Sequence, residues 1–236
     1  GTFFLTLDCL DEKKKSIIVK AYESDSPIEN NNVFKSCIEY KKLLEDSNVE
    51  SKGIAIYTDL ITKQNLAFIC RKKYQFTLTQ RFEEYPPLEP IEKQWIAFKF
   101  LKLVLTLHKG DLFHGSINPD NVFVDSDLQV NLGDMAPFKP SYIKNTRPDL
   151  FHHLFAATSR SSCYLAPEQL LSPDRASADM LYFHGTFEMD YFSAGLVIYY
   201  LYTGEHLFTF LRLNQYKSGN VDITNQINKL PEGIKD

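Results

Sequence analysis

The stretch "HGSINPDN", residues 114–121, carries a histidine, neutral polar residues at Ser116 and Asn118, and a closing asparagine, Asn121. Asp134 follows in "LGDMA". The amide oxygen of Asn121 and the carboxylate of Asp134 are hard donors, of which magnesium takes few from protein when phosphates supply the rest. Lys20, in "SIIVK", ends a strand-like run, and Glu39 lies on a helical one, 39 − 20 = 19 residues on. A lysine and glutamate so placed can form an ion pair that steadies the lysine against nucleotide phosphates, so Lys20 and Glu39 are expected at ion-pair distance. Read alone, Lys20 is a strand-end lysine and Glu39 a solvated helix carboxylate.

Those side chains need elements to position them. "TFFLTLD" and "SIIVKAY" are β-rich runs about "EKKK", a hairpin pattern. "NNNVFKSCIEYKKLLEDSN" opens with asparagine caps and spaces Val33, Phe34, Cys37, Ile38 and Leu44 as a helix does. "GIAIYTDL" and "NLAFICR" give two more strands. "RFEEYPPLEP" is a proline-rich connector, followed by a long helix with Ile91, Trp95, Phe98 and Leu105 on one side. Pro90 near its start and Gly110 past its end fit helix termini. Short strands "VFV" and "QVNLG" flank a turn at Asp125–Asp127. "MDYFSAGLVIYYLYTG" is a helix apolar all round, which predicts burial on every side. The expected architecture is α+β and two-lobed: a small β-rich lobe over 1–73 and a larger helical lobe over 74–236, cut short after "LPEGIKD".

The order of the marks carries more than any one of them. Lysine, helix glutamate, H-x-x-x-x-P-x-N, D-x-A, A-P-E at 166–168 and D-x-x-S-x-G from Asp190 follow one another with suitable gaps. That order resembles the protein kinases. "DMAPFKPSY", "SRSSCYLAPEQL" and "MDYFSAGLVIYYLYTGEHLF" narrow the resemblance. They are similar to the kinase-like domain of the vacuolar-protein-sorting regulatory subunit (regulatory subunit four) of class III phosphatidylinositol 3-kinase, firmly over 89–217 and loosely before. The resemblance implies a Mg-ATP or Mg-GTP site formed by Lys20, Glu39, Cys70, Asn121 and Asp134, with magnesium on Asn121 and Asp134. His114, Glu168 and Asp190 become structural residues, Asp190 bracing the 114–121 loop; as a plain helix cap it would sit at the same place. The implied partners are the lipid kinase's catalytic subunit and adaptors for autophagy and sorting. The implied location is cytoplasmic, at endosomal or vacuolar membranes through that complex.

Four departures bear on activity. Ser116 stands where the kinases carry the aspartate that takes the substrate proton, a group whose loss costs a factor of about 10²–10⁴. Asn118 replaces the loop lysine that steadies the transferring phosphoryl. Gly115 replaces an arginine that clamps a phosphorylated segment, so the hydroxyls of Thr158, Ser159, Ser161 and Ser162 suit an ordinary polar loop. Phe4 falls where the third glycine of a phosphate-covering loop belongs. A pseudokinase with a retained nucleotide is the first reading. An active serine/threonine kinase borrowing Asp120 or Asp111, and a kinase-like scaffold from another pathway, are the alternatives. The net charge of 26 − 30 = −4 argues against a nucleic-acid or membrane-surface binder. Cys9, Cys37, Cys70 and Cys163 are too scattered for a zinc site.

Overall fold

The computed structural model describes residues 3–23, 27–47, 52–63, 66–135, 141–149, 151, 155, 162–172 and 185–235. The small lobe is a sheet with one helix. Strands β1 (Phe3–Leu10), β2 (Ser16–Glu23), β3 (Asp59–Lys63) and β4 (Leu66–Lys72) pair in the order β1-β2-β4-β3, all antiparallel. Helix α1 (Pro27–Asp46) lies between β2 and β3 in the chain. It starts before the asparagine run that the sequence suggested as its cap, since Pro27 supplies a first-turn residue with a preset φ. Its buried side chains Cys37 and Leu44 face inward, Cys37 packing with Tyr57 and Ile69.

The large lobe forms around two long helices. A short β5 (Phe76–Thr77) leads into α2 (Leu78–Glu83), whose capping box joins Thr77 and Gln80. Helix α3 (Pro90–Lys109) follows, then β6 (Val122–Val124) and β7 (Val130–Leu132). Two-residue strands β8 (Ile143–Lys144) and β9 (Leu170–Leu171) pair in parallel. Helices α4 (Phe187–Thr203) and α5 (Phe210–Lys217) come next, with single turns α6 (Thr224–Ile227) and α7 (Glu232–Lys235) at the end. Helix α4 is buried on nearly every side, as its composition demanded, and closes on Gly204 at φ 72.

Helix α3 carries two apolar faces. Ile96, Phe100, Leu103, Val104 and Leu107 enter the core against Val122, Leu132, Ala194 and Val197. The side picked out in the sequence, Ile91, Trp95, Phe98 and Leu105, faces outward. Trp95 keeps its indole N–H bonded to the Leu128 carbonyl at 3.2 Å, with the Lys99 ammonium 4.6 Å over the ring.

Backbone bonds tie the lobes together. The Ala55 N–H donates to the Leu132 carbonyl and the Leu132 N–H to the Gly53 carbonyl, at 2.8 and 3.0 Å. Gly133 is packed tightly beside these bonds: a Cβ there would lie 2.6 Å from the Ala55 Cβ and 2.9 Å from the Phe123 ring. Overpacking of this kind costs about 1–3 kcal/mol. Gly133→Ala is therefore expected to lower the thermal midpoint followed by circular dichroism, and an unchanged midpoint would mean that the lobes separate there without cost.

Candidate functional site

Strand pairing decides which side chains share the cleft. Lys20 opposes Ile69 and Ile18 opposes Arg71, so Lys20 and Arg71 project from neighbouring strands on one face. Asp134 follows β7 across the cleft in a left-handed conformation, φ 57. Its carboxylate is clasped. Arg71 Nε donates to Oδ1 at 2.6 Å and Arg71 Nη2 to Oδ2 at 2.9 Å, the two-pronged geometry that suits guanidinium to carboxylate. The Lys20 ammonium sits 2.7 Å from Oδ2. Side-chain exposure is 7% for Arg71 and 3% for Asp134, so water screens this contact little. Burial alone pushes the Asp134 carboxyl up; the charges and hydrogen bonds of Lys20 and Arg71 outweigh it and hold the group well below the usual carboxylate range. The guanidinium also lies over the Phe123 ring, 4.4 Å from its centroid.

The expected Lys20–Glu39 pair is not made. Glu39 points to solvent, 64% exposed, with the Lys35 ammonium 4.0 Å away. Cys37 and Leu44 take the inward face of α1, and Tyr40 sends its hydroxyl to the Phe113 carbonyl, so helical spacing turns Glu39 outward. Asp134 serves as the carboxylate for Lys20 instead. Cys70 is likewise off the cleft face: it opposes Val19 and Asp59, one step out of phase with Arg71. Burial, then the Asp59 charge, push its thiol pKa up. Arg71 is the residue that the motifs missed. Its signal was a charged residue in phase with Ala67 and Ile69 in the apolar run "LAFICRK".

The 114–121 loop is held by its own polar groups. Asp190 accepts from the backbone N–H groups of His114 at 2.8 Å and Gly115 at 3.1 Å, the bracing role expected of it, and from His108 Nε2 at 3.0 Å when that nitrogen is protonated. Gly115 sits at φ 71, which glycine adopts without strain. The His114 ring contacts the Gly133 carbonyl at 3.0 Å, joining the loop to the segment that carries Asp134. Asn118 acts as a cap: its oxygen accepts from the Asp120 N–H at 2.9 Å and its nitrogen donates to the Ser116 carbonyl at 3.0 Å. The Asn121 nitrogen donates to the same carbonyl at 2.7 Å. Below the loop lies a cavity of about 230 Å³ whose lining includes Ser116, Asn118, Asp120, Tyr164 and His206. Glu168 is exposed at the start of a 3₁₀ turn. Of the hydroxyls considered above, Thr158, Ser159 and Ser161 lie outside the described residues.

A magnesium ion does not fit this arrangement. The Asn121 nitrogen donates to the Ser116 carbonyl and leaves its amide oxygen able to meet a metal, but both Asp134 oxygens already accept from cations. A dication on Asp134 would sit about 5 Å from two unit positive charges, a repulsion on the order of 7 kcal/mol each at an effective dielectric of ~20. Phosphate fits better. Two cations face one carboxylate, 2 − 1 = +1, and the residual charge is positive.

Comparison with known proteins agrees with this architecture. The protein kinase domain family matches residues 1–235. A serine/threonine-protein kinase VPS15 of Komagataella pastoris is 36% identical over 179 residues, 75% of this chain and 13% of that protein. Those of Arabidopsis thaliana and Saccharomyces cerevisiae are 33% and 32% identical, each over 72% of the chain and over 11% and 12% of their own lengths. The chain thus spans about an eighth of the relatives that it matches.

Removing one member of a buried ion pair strands its partners and costs about 3–5 kcal/mol. Asp134→Asn is expected to destabilise the fold by that amount at neutral pH. Because the folded carboxyl pKa is lowered, its contribution is whole above the ordinary value near 4 and fades as pH falls through the lowered one. Urea melts of the two proteins should therefore converge as pH drops below about 4. Parallel curves would show that the clasp adds nothing.

Proposed function

This chain belongs to the protein kinase domain family, and from that footing we propose that it is a regulatory, scaffolding kinase fold rather than a phosphotransferase, with a nucleotide kept in its cleft as a structural ligand. Its relatives carry the VPS15 name. With the motif resemblance, this supports membership of a class III phosphatidylinositol 3-kinase complex acting in vacuolar sorting and autophagy. The domain would then contact the lipid kinase catalytic subunit and the adaptors, and would reach endosomal or vacuolar membranes through them. No described helix is long and apolar enough to cross a membrane.

One observation carries the absence of catalysis. The two positions that should hold a base and a cation hold Ser116 and Asn118, and the Asn118 side chain is spent on capping its own loop. A neutral hydroxyl cannot accept a proton as a carboxylate does at neutral pH. Two nearby carboxylates are committed elsewhere. Asp190 is occupied by backbone N–H groups and Asp134 by two cations. Asp120 lines the same cavity as Ser116 and is the carboxylate that the transfer test below addresses, and Asp111 is exposed in the turn after α3. The nucleotide is supported by the surplus cation of the cleft. Protein kinase domains in general use Mg-ATP, and this cleft keeps the part of that site that meets phosphate.

Phosphate transfer from γ-labelled ATP to a generic acceptor by the full-length protein is expected to stay at background, below an active kinase by at least the ~10²–10⁴ that a positioned base supplies. Transfer that Asp134→Asn abolishes would overturn this reading. Co-purification of a lipid kinase with the full-length protein is the matching expectation for its partner, and its absence would favour a scaffold in another pathway.

A further inference from the structure

We infer that the cleft holds nucleoside phosphates without a metal ion, Arg71 standing permanently where a divalent cation would otherwise balance Asp134. The inference rests on the reading above that a nucleotide occupies the cleft, and it adds how its charge is met. Arg71 is fixed from three sides. Its fork closes on both Asp134 oxygens, its Nη1 donates to the Lys72 carbonyl at 3.0 Å, and its plane lies over Phe123. The guanidinium is built into the chain, so this positive charge does not depend on ion concentration.

The remaining donors point to the ligand. A guanidinium has five N–H bonds. Three are used on Asp134 and Lys72, leaving one on each terminal nitrogen for phosphate oxygens. Lys20, turned away from Glu39, shares a single carboxylate with Arg71, so the pair keeps unspent positive charge. With its phosphates met by two fixed cations, part of the charge of a nucleoside di- or triphosphate is balanced without magnesium. Magnesium in turn finds Asp134 occupied. The chemistry requires no covalent step.

The test is equilibrium dialysis of the full-length protein with labelled ATP and GTP, once in magnesium and once in excess EDTA. The affinity of the better nucleotide is expected to agree within about twofold in the two buffers. Arg71→Met should weaken binding in EDTA by about tenfold or more, the usual worth of a charged hydrogen bond. It should also acquire magnesium dependence, because Asp134 is released. Arg71→Lys, which keeps a cation, should remain independent of metal and covers the case in which methionine does not fold. Wild-type binding that falls by about tenfold or more in EDTA would overturn the inference while leaving the nucleotide reading intact. Binding of neither nucleotide in either buffer would overturn that reading, and the inference with it.

Discussion

A single carboxylate held by two cations joins the halves of this protein. Asp134 comes from the large lobe, and Lys20 and Arg71 come from adjacent strands of the small one. In a buried setting such a contact is either complete or costly, because a charge stripped of water needs a partner of opposite sign. The clasp fixes the closure of the lobes, the side chains that line the cleft and the residual charge there. It also explains why an outward Glu39 is tolerated: the task of neutralising Lys20 has passed to another residue.

The 114–121 loop shows a second, independent economy. Asp190 holds its backbone from below, His114 ties it to Gly133, and Asn118 and Asn121 bond inward to the Ser116 carbonyl. These bonds need only neutral amides and one buried carboxylate, so the loop keeps its shape while Ser116 and Asn118 lack the charges that catalysis requires. The loop's shape is thus held without a charged side chain at either position.

Much of this was legible in the chain. The β-β-α-β-β order and the two long helices followed from periodicity, which is local, and the bracing of the loop by Asp190 from the kinase resemblance. What escaped depends on phase and on neighbours. A motif fixes how far Glu39 lies from Lys20 along the chain, but which face of α1 it takes is set by Cys37 and Leu44 filling the interior. Cys70 and Arg71 are adjacent in sequence and opposite in the sheet. Arg71 belongs to none of the kinase marks in the sequence, and its meaning appears only when Asp134 is brought across from 63 residues away. On α3, composition could not distinguish the inner apolar face from the outer one, because both are apolar.

The outward Trp95 has a practical side. It is the sole tryptophan of the chain, leaning on the β6–β7 turn through Leu128 and covered by Lys99. Its ultraviolet emission is therefore an intrinsic optical gauge of whether that turn is seated on the helix, quenched or shifted as the large lobe loosens. Events confined to Asp134 and its two cations would pass almost unseen by this fluorophore, so a dye or a second indole placed in the small lobe is needed to watch the cleft by light.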